Sequence, residues 1–375
     1  MRLLHTSDLH LGISLMGRSL LEHQRYLIEE LAKTVRQERI DAVLISGDLF
    51  DRSVVAAEVI ELYNELATKL CIKQGVKVFA IAGNHDGAER LASCGALLER
   101  AGLYVAGRLR EGPRHIRLEQ QGTPVNFFLL PYFNVDEVRS LTGKPARDMQ
   151  EALDILLADW MPAPVPGERN ILLAHLFVRG GLTAGSDRTA IIGGAAVVGA
   201  QSMQAFDYVA LGHLHAPQKV GKNAYYSGTP LPYSFSEKNQ QKHFLVLDTE
   251  DLSLRELPIH APYCLREERG TLEALKKQAA EHPSQDYLRL EVTDARIAKE
   301  DYEFFRAAYP NLLLAYSSAY APGEEAALSP EQVEQLSAEV ILREFLQEQE
   351  GRSPSQGEMQ WFLRAMEYAE KGALL

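Results

Sequence analysis

Five apolar stretches of the 375-residue chain each end in side chains that can bind a cation or move a proton. Leu3 and Leu4 lead to Asp8 and His10, and residues 42–45 lead to Asp48 and Asp51 within GDLFD. Residues 78–82 lead to Asn84, His85 and Asp86 within GNHD, and residues 171–174 to His175. Residues 209–211 lead to His213 and His215 within GHLH. Each motif is ordinary alone. Asp-x-His and His-x-His arise by chance, GDLFD and GNHD also read as turns, and a single histidine on an apolar strand is more often a hydrogen-bonded core residue than a ligand. Together they offer three oxygen ligands (Asp8, Asp48, Asn84) and four imidazoles (His10, His175, His213, His215). One ion rarely uses so many; two ions sharing a bridging carboxylate would use them all. Mixed imidazole and carboxylate ligation suits Mn, Fe or Zn better than Mg or Ca. Two ions about 3.5–4 Å apart stabilise both the attacking and the departing oxygen in displacement at phosphorus, and bound water loses its proton easily. The chemistry expected is hydrolysis of a phosphate ester.

For these residues to act together, the strands that carry them must end at one sheet edge, where converging loops build sites in open α/β sheets. Residues 2–6, 41–46 and 76–82 read as strands and residues 20–38 and 54–70 as helices, an alternation that argues for an α/β core. Further strands are expected at 125–130, 170–174, 207–211, 224–227 and 244–248, and a helix at 148–160. The proline-rich stretch 161–167 is a loop, and the glycine-rich stretch 179–194 reads as a surface loop near the site.

Residues 257–263 carry two prolines and mark a boundary. Beyond it, helices at 272–281 and 299–309 and strands at 287–292 and 312–317 form a small α+β unit. Residues 321–328 read as a linker. Ser329 is a suitable N-cap for an amphipathic helix at 330–350, and a last helix is expected at 356–371. Packing of these two helices at home is the commoner outcome from pattern alone.

Bulk properties narrow the field less. The net charge of -12 weighs against broad electrostatic binding of nucleic acid, so local patches or metal ions would have to offset it. Cys71, Cys94 and Cys264 are far apart, form no CxxC pair and read as buried free thiols in a reducing compartment. The start MRLLHTSDLH lacks the apolar core of a signal peptide, and no apolar run approaches membrane-spanning length, so a cytoplasmic protein is expected.

In the order D-x-H, G-D-x-x-D, G-N-H-D, H, G-H-x-H, the chain resembles the calcineurin-like metallophosphoesterase superfamily. The segments HTSDLHLG, LISGDLFDR, AGNHDG, LLAHLFVRGG, DYVALGHLHAPQ and YYSGTPLPYSFSE are similar to its bacterial DNA-nuclease branch through about residue 260, and more loosely beyond. The resemblance implies an α/β fold in which a β-sandwich of two mixed sheets is flanked by helices, with a small α+β capping domain and C-terminal helices. It implies a nuclease domain at 1–260, a capping domain at 261–320, and helices at 329–375 that grip the coiled-coil base of an ABC-type ATPase.

It also implies two divalent ions, most readily Mn2+. One would be held by Asp8, His10, Asp48 and His215, the other by Asp48, Asn84, His175 and His213, with Asp48 bridging. His85 would stand over the scissile phosphate as the acid for the departing oxygen, and Asp51 would hydrogen-bond His85 and keep it cationic. Arg52 is a candidate phosphate contact or a salt-bridge partner. The implied activity is Mn-dependent exonuclease cleavage of duplex ends and endonuclease cleavage of hairpins in DNA repair, by a homodimer within a heterotetramer. Helices 20–38 and 54–70 are the candidates for the dimer contact. Two rivals remain at this level: a metallophosphoesterase acting on small phosphodiesters or phosphoproteins, and a non-catalytic scaffold for the ATPase.

Overall fold

The computed structural model describes residues 1–119, 122–183, 197–319, 342–343 and 352–370. The expected linker at 321–328, the cap at Ser329 and almost all of the helix at 330–350 lie outside the described residues, as does most of the glycine-rich loop.

Strands such as Ala42–Ser46 (AVLIS) and Val125–Leu130 (VNFFLL) are buried along their whole length. Such runs fit sheets covered on both faces rather than one solvated face, and the chain builds two of them. The first has six strands in the order Leu254–Pro258, His243–Asp248, Arg2–Thr6, Ala42–Ser46, Lys77–Ile81, Leu103–Ala106. The last four run parallel, and His243–Asp248 is antiparallel to Arg2–Thr6. The second runs Gln218–Val220, Ala224–Tyr226, Tyr208–Gly212, Arg169–His175, Val125–Leu130, Arg114–Leu118, with its four central strands parallel.

Period-two alternation sorts each strand's side chains between layers. Ala42 and Leu44 join Leu3, Phe79, Phe127, Leu129, Ile171 and Leu173 in the core between the sheets. Val43 and Ile45 pack outward under the helices Leu21–Gln37 and Ala57–Ala67. At the centre of the sandwich the rings of Phe79 and Phe127 stack with centroids 4.0 Å apart. The helix Met149–Ile155, with Ala152 and Leu153 buried, covers the outer face of the second sheet.

The sequence reading missed the strands at 103–106, 114–118, 218–220, 254–258 and 265–270. Most are edge strands, short or half-exposed, and their residues do not alternate cleanly. The helix expected at 54–70 begins at Ala57 and passes into a wider turn over Thr68–Lys73. Cys71 is buried, but Cys94 and Cys264 are exposed, against expectation. No helix among the described residues is long and apolar enough to cross a membrane.

After residue 260 the strands Leu265–Gly270, Tyr287–Val292 and Leu312–Ser317 form a parallel three-stranded sheet. The helices Leu272–Glu281 and Lys299–Ala308 pack on it around Leu275, Leu290 and Phe305. This unit is fastened to the sandwich beside residues 230–240. Tyr263 Oη donates to the Pro232 carbonyl (2.7 Å), Lys238 pairs with Glu267, and the Arg289 guanidinium lies 5.1 Å from the Phe235 ring centroid.

Removing the ring at the centre of the sandwich leaves a cavity that neither sheet can close. Phe127→Ala is expected to lower the unfolding free energy by about 3–5 kcal/mol, measured by urea denaturation in chelator. A loss under about 1 kcal/mol would show that the two sheets do not pack through this residue.

Candidate metal centre

The carboxyl ends of Arg2–Thr6, Ala42–Ser46 and Lys77–Ile81 lie at the same edge of the sandwich as those of Arg169–His175 and Tyr208–Gly212. The loops that follow are laced to one another. Asp8 N donates to the Gly47 carbonyl (3.0 Å), and His10 N to the Asp48 carbonyl (2.9 Å). The Asp86 carboxylate accepts from the backbone N–H groups of Phe50 (2.8 Å), Gly83 (2.8 Å) and Leu49 (3.2 Å), tying GDLFD to GNHD. Asp86 therefore acts as a clamp between loops; burial, reinforced by Asp48, pushes its carboxyl up to about 7. Gln24, on the buried face of helix Leu21–Gln37, donates to the carbonyls of His10 (2.8 Å) and Leu9 (3.1 Å), so that helix fixes the first loop.

The cost of this convergence is visible in the backbone. Asp8, His10, Asp48 and His213 all have positive φ (52°, 42°, 48° and 105°), a region non-glycine residues rarely occupy. Such strain persists where the surroundings over-determine it, and it clusters at functional sites. Two glycines allow the strands to close up. A Cβ on Gly212 would fall on the Ser46 carbonyl oxygen, and one on Gly47 (φ 91°) would fall on His175 Nδ1.

The side chains carried by these loops meet. His175 Nε2 is 3.0 Å from Asn84 Oδ1 and 3.4 Å from Asp48 Oδ2, and His213 Nδ1 is 3.2 Å from Asn84 Oδ1. His10 Nε2 is 3.3 Å from His215 Nε2 and 3.8 Å from Asp48 Oδ2. Donor atoms of Asp8, His10 and His215 all lie within 4.8 Å of one another, as do those of Asp8, Asp48 and His175. Asp48 Oδ2 is thus near both sets. Imidazole nitrogens bind metal at about 2.0–2.1 Å, which puts neighbouring ligand atoms of one ion roughly 3.0–3.4 Å apart. The donor spacing fits two adjoining ions. His85 stands at the rim, its Nε2 3.9 Å from Asp48 Oδ2. With Tyr233, Ser234 and Ile13, the side chains of His10, Asp48, Asn84, His85, His213 and His215 line a cavity of about 200 Å³.

Without cations the electrostatics strain against burial. Burial pushes the Asp8 carboxyl up to about 6, while His175 and His215 oppose it. Burial likewise brings His10 and His213 down to about 3, leaving both imidazoles neutral with a lone pair to donate. For His175 burial is overridden by Asp48, which lifts it to about 9. Asp48 is held well below the usual carboxylate range although burial works the other way, because His175 lies against it. A proton on His175 balances the two buried carboxylates where a cation would otherwise do so.

Asp51 departs from the expected arrangement. His85 Nδ1 donates to the backbone carbonyl of Asp51 (2.9 Å), not to its carboxylate. The carboxylate instead lies 3.9 Å from His10 Nδ1 and accepts from Arg52 Nε (3.1 Å). The Arg52 side chain is 70% exposed, and its contact in the structure is this salt bridge.

Sequence reasoning also missed the residues behind the ligands. Gln24 carries no signal of its own in the sequence, and Asp86, singled out within GNHD, gives no sign there of its clamping role. Glu237, fully buried, lies 3.2 Å from His215 Nδ1 across a sequence separation of 22, which no single periodicity spans.

A fold of two sheets with this ligand edge defines a class, and the chain belongs to it: the calcineurin-like phosphoesterase model matches residues 1–217. A second model, described as the type 5 capsule protein repressor C-terminal domain, matches residues 264–350. Within the class the chain belongs to the SbcD family, the nuclease subunits of SbcCD. It is 34% identical over 319 residues to the SbcD subunit of the SbcCD nuclease from Staphylococcus epidermidis, covering 84% of each chain. It is 27% identical over 350 residues, 92% of each chain, to the same subunit from Staphylococcus saprophyticus.

A site that binds ions only when folded is stabilised by them in proportion to the logarithm of their concentration. Added Mn2+ is expected to raise the melting temperature above that in chelator. Gly212→Ala, which forces Ser46 and His175 apart, is expected to melt lower in chelator and to gain nothing from Mn2+. An unchanged Mn2+ response in that variant would mean the close approach of the two sheets is not what assembles the site.

Proposed function

We propose that the chain is the metal-dependent nuclease subunit of an SbcCD-type complex, hydrolysing phosphodiester bonds of DNA. The observation that carries this is the convergence of three oxygen and four imidazole donors, six of them at spacings of 3.0–3.8 Å and Asp8 within 4.8 Å of its neighbours, in a chain 34% identical to a protein named as that nuclease subunit. Asp8, His10, Asp48 and His215 would hold one ion, and Asp48, Asn84, His175 and His213 would hold the other. Divalent ions held there, Mn2+ in our assignment, supply Lewis acidity at the phosphate and make water a nucleophile near neutral pH.

The protein's own groups do the rest. Asp8 and Asp48 supply only two negative charges, and Asp51 is paired with Arg52, so a site holding two divalent ions would stay net positive and attract a phosphodiester to an otherwise acidic chain. The Asp51 carbonyl, by accepting from His85 Nδ1, fixes the ring with Nε2 toward the cavity. From there His85 delivers a proton, or a hydrogen bond, to the departing oxygen. Asp51 thus serves His85 through its backbone, while its carboxylate pairs with Arg52.

In this assignment residues 1–260 are the nuclease domain and 261–320 the capping domain. Residues 329–375 are the docking region for an SbcC-type ABC ATPase. Trp361, 70% exposed on the helix Gln356–Glu370, supports a partner surface there. Exonuclease action on duplex ends, endonuclease action on hairpins, and a homodimer within a heterotetramer complete the proposal.

The test pairs substrates with variants. The parent is expected to cut linear duplex DNA with Mn2+ and not with chelator. His85→Ala is expected to keep its Mn2+ and lose at least about 100-fold in cleavage. Strong turnover of a nitrophenyl phosphate ester with intact DNA would instead favour a small-ester hydrolase. Asp51→Asn, which keeps the carbonyl, is expected to lose far less than His85→Ala; equal losses would return the role to the carboxylate.

A further inference from the structure

On the Nδ1 side of His215 lies a buried ionic cluster that the hydrolytic chemistry does not use. Glu237 is fully buried, and its Oε1 is 3.2 Å from His215 Nδ1. Its Oε2 accepts from Thr229 Oγ1 (2.7 Å) and from Lys242 Nζ (2.7 Å). Lys242, itself 3% exposed, also donates to Gln240 Oε1 (2.7 Å) and reaches the His215 carbonyl (3.3 Å). Thr229 N donates to the same carbonyl (3.2 Å). The cluster therefore holds His215 at both its ring and its backbone.

Stability is a poor reason for such a cluster. Taking a carboxylate and an ammonium out of water costs about as much as their attraction returns, and apolar replacements of similar volume are often neutral or stabilising. Orientation is the better reason. A carboxylate accepting from Nδ1–H fixes the tautomer and turns the Nε2 lone pair the other way. Here that direction leads to the cavity, where His215 Nε2 lies 3.3 Å from His10 Nε2.

We propose that Glu237, clamped by Lys242 and Thr229, is the positioning residue of His215. It presents the imidazole Nε2 to one of the two ions and strengthens its hold. The proposal rests on the two-ion assignment of the site.

The experiment is a calorimetric Mn2+ titration of the full chain, with melting curves in chelator. The parent is expected to take two Mn2+ ions. The double variant Glu237→Met with Lys242→Met removes both charges together. It is expected to melt in chelator no lower than the parent, yet to weaken one Mn2+ step by about 10–100-fold and leave the other unchanged. Placed on a His215→Ala background, the same pair of changes is expected to cost no further affinity, because Glu237 acts through His215. Two parent-like Mn2+ steps in the double variant, or an additive loss on the His215→Ala background, would overturn the proposal and leave the two-ion site standing. A parent chain that binds no Mn2+ would overturn both. If the double variant does not fold, Glu237→Gln, which keeps the volume and an acceptor for Lys242, carries the same cycle.

Discussion

The structure depends on how closely two parallel strand ends approach across the sandwich. The backbone at Ser46 and Gly47 lies against Gly212 and His175 with no room for an added methyl group on either glycine. Only at that separation can His175, on the second sheet, reach Asp48, on the first (3.4 Å). Each sheet alone carries half a site. Packed face to face around Phe79 and Phe127, they bring the halves together. The rigidity comes from the interior, where close packing tolerates little displacement.

The same approach creates the electrostatic problem that the site must solve. Asp8 and Asp48 are almost fully buried, and isolated charges there are costly. In the protein without ions, His175 carries a compensating proton and Asp8 is pushed up to about 6. Divalent cations bound between these carboxylates would relieve this directly. The positive φ of four candidate ligand residues belongs to the same trade. The loops are bent into a sparsely allowed conformation because the lacing between Asp8 and Gly47, and between His10 and Asp48, leaves them no other.

Around this centre the layers of support differ in reach. Asp86 and Gln24 hold the loops by accepting from or donating to their backbone, so they fix position without touching a ligand side chain. Glu237 and Lys242 contact one candidate ligand, His215, from a segment that the small three-stranded unit also grips through Phe235, Lys238 and Pro232. The second domain thus abuts the side of the site where His215, Tyr233 and Ser234 stand.

Much of this was legible in the residues. Leu3-Leu4, residues 42–45 and residues 78–82 announce buried strands, because a run apolar on both faces fits few environments other than the middle of a covered sheet. Residue type at the strand ends named the ligand candidates, because imidazole and carboxylate suit few other tasks in that density. The edge strands Leu103–Ala106, four residues long and mostly buried, and Leu265–Gly270, largely half-exposed, were not legible, since neither carries an alternation to read. Nor was it legible which atom of Asp51 faces His85. Sequence specifies a side chain, but the loop's backbone geometry decides whether carbonyl or carboxylate is presented. The sequence by itself determined the donor set and the strands that carry it, both local properties of residue type and period. Tertiary structure alone decided the distances among those donors and the carboxylate behind His215. The donors come from segments far apart in the chain and meet only because two sheets pack at a fixed separation, while Glu237 returns to His215 through a fold of the chain that no period describes.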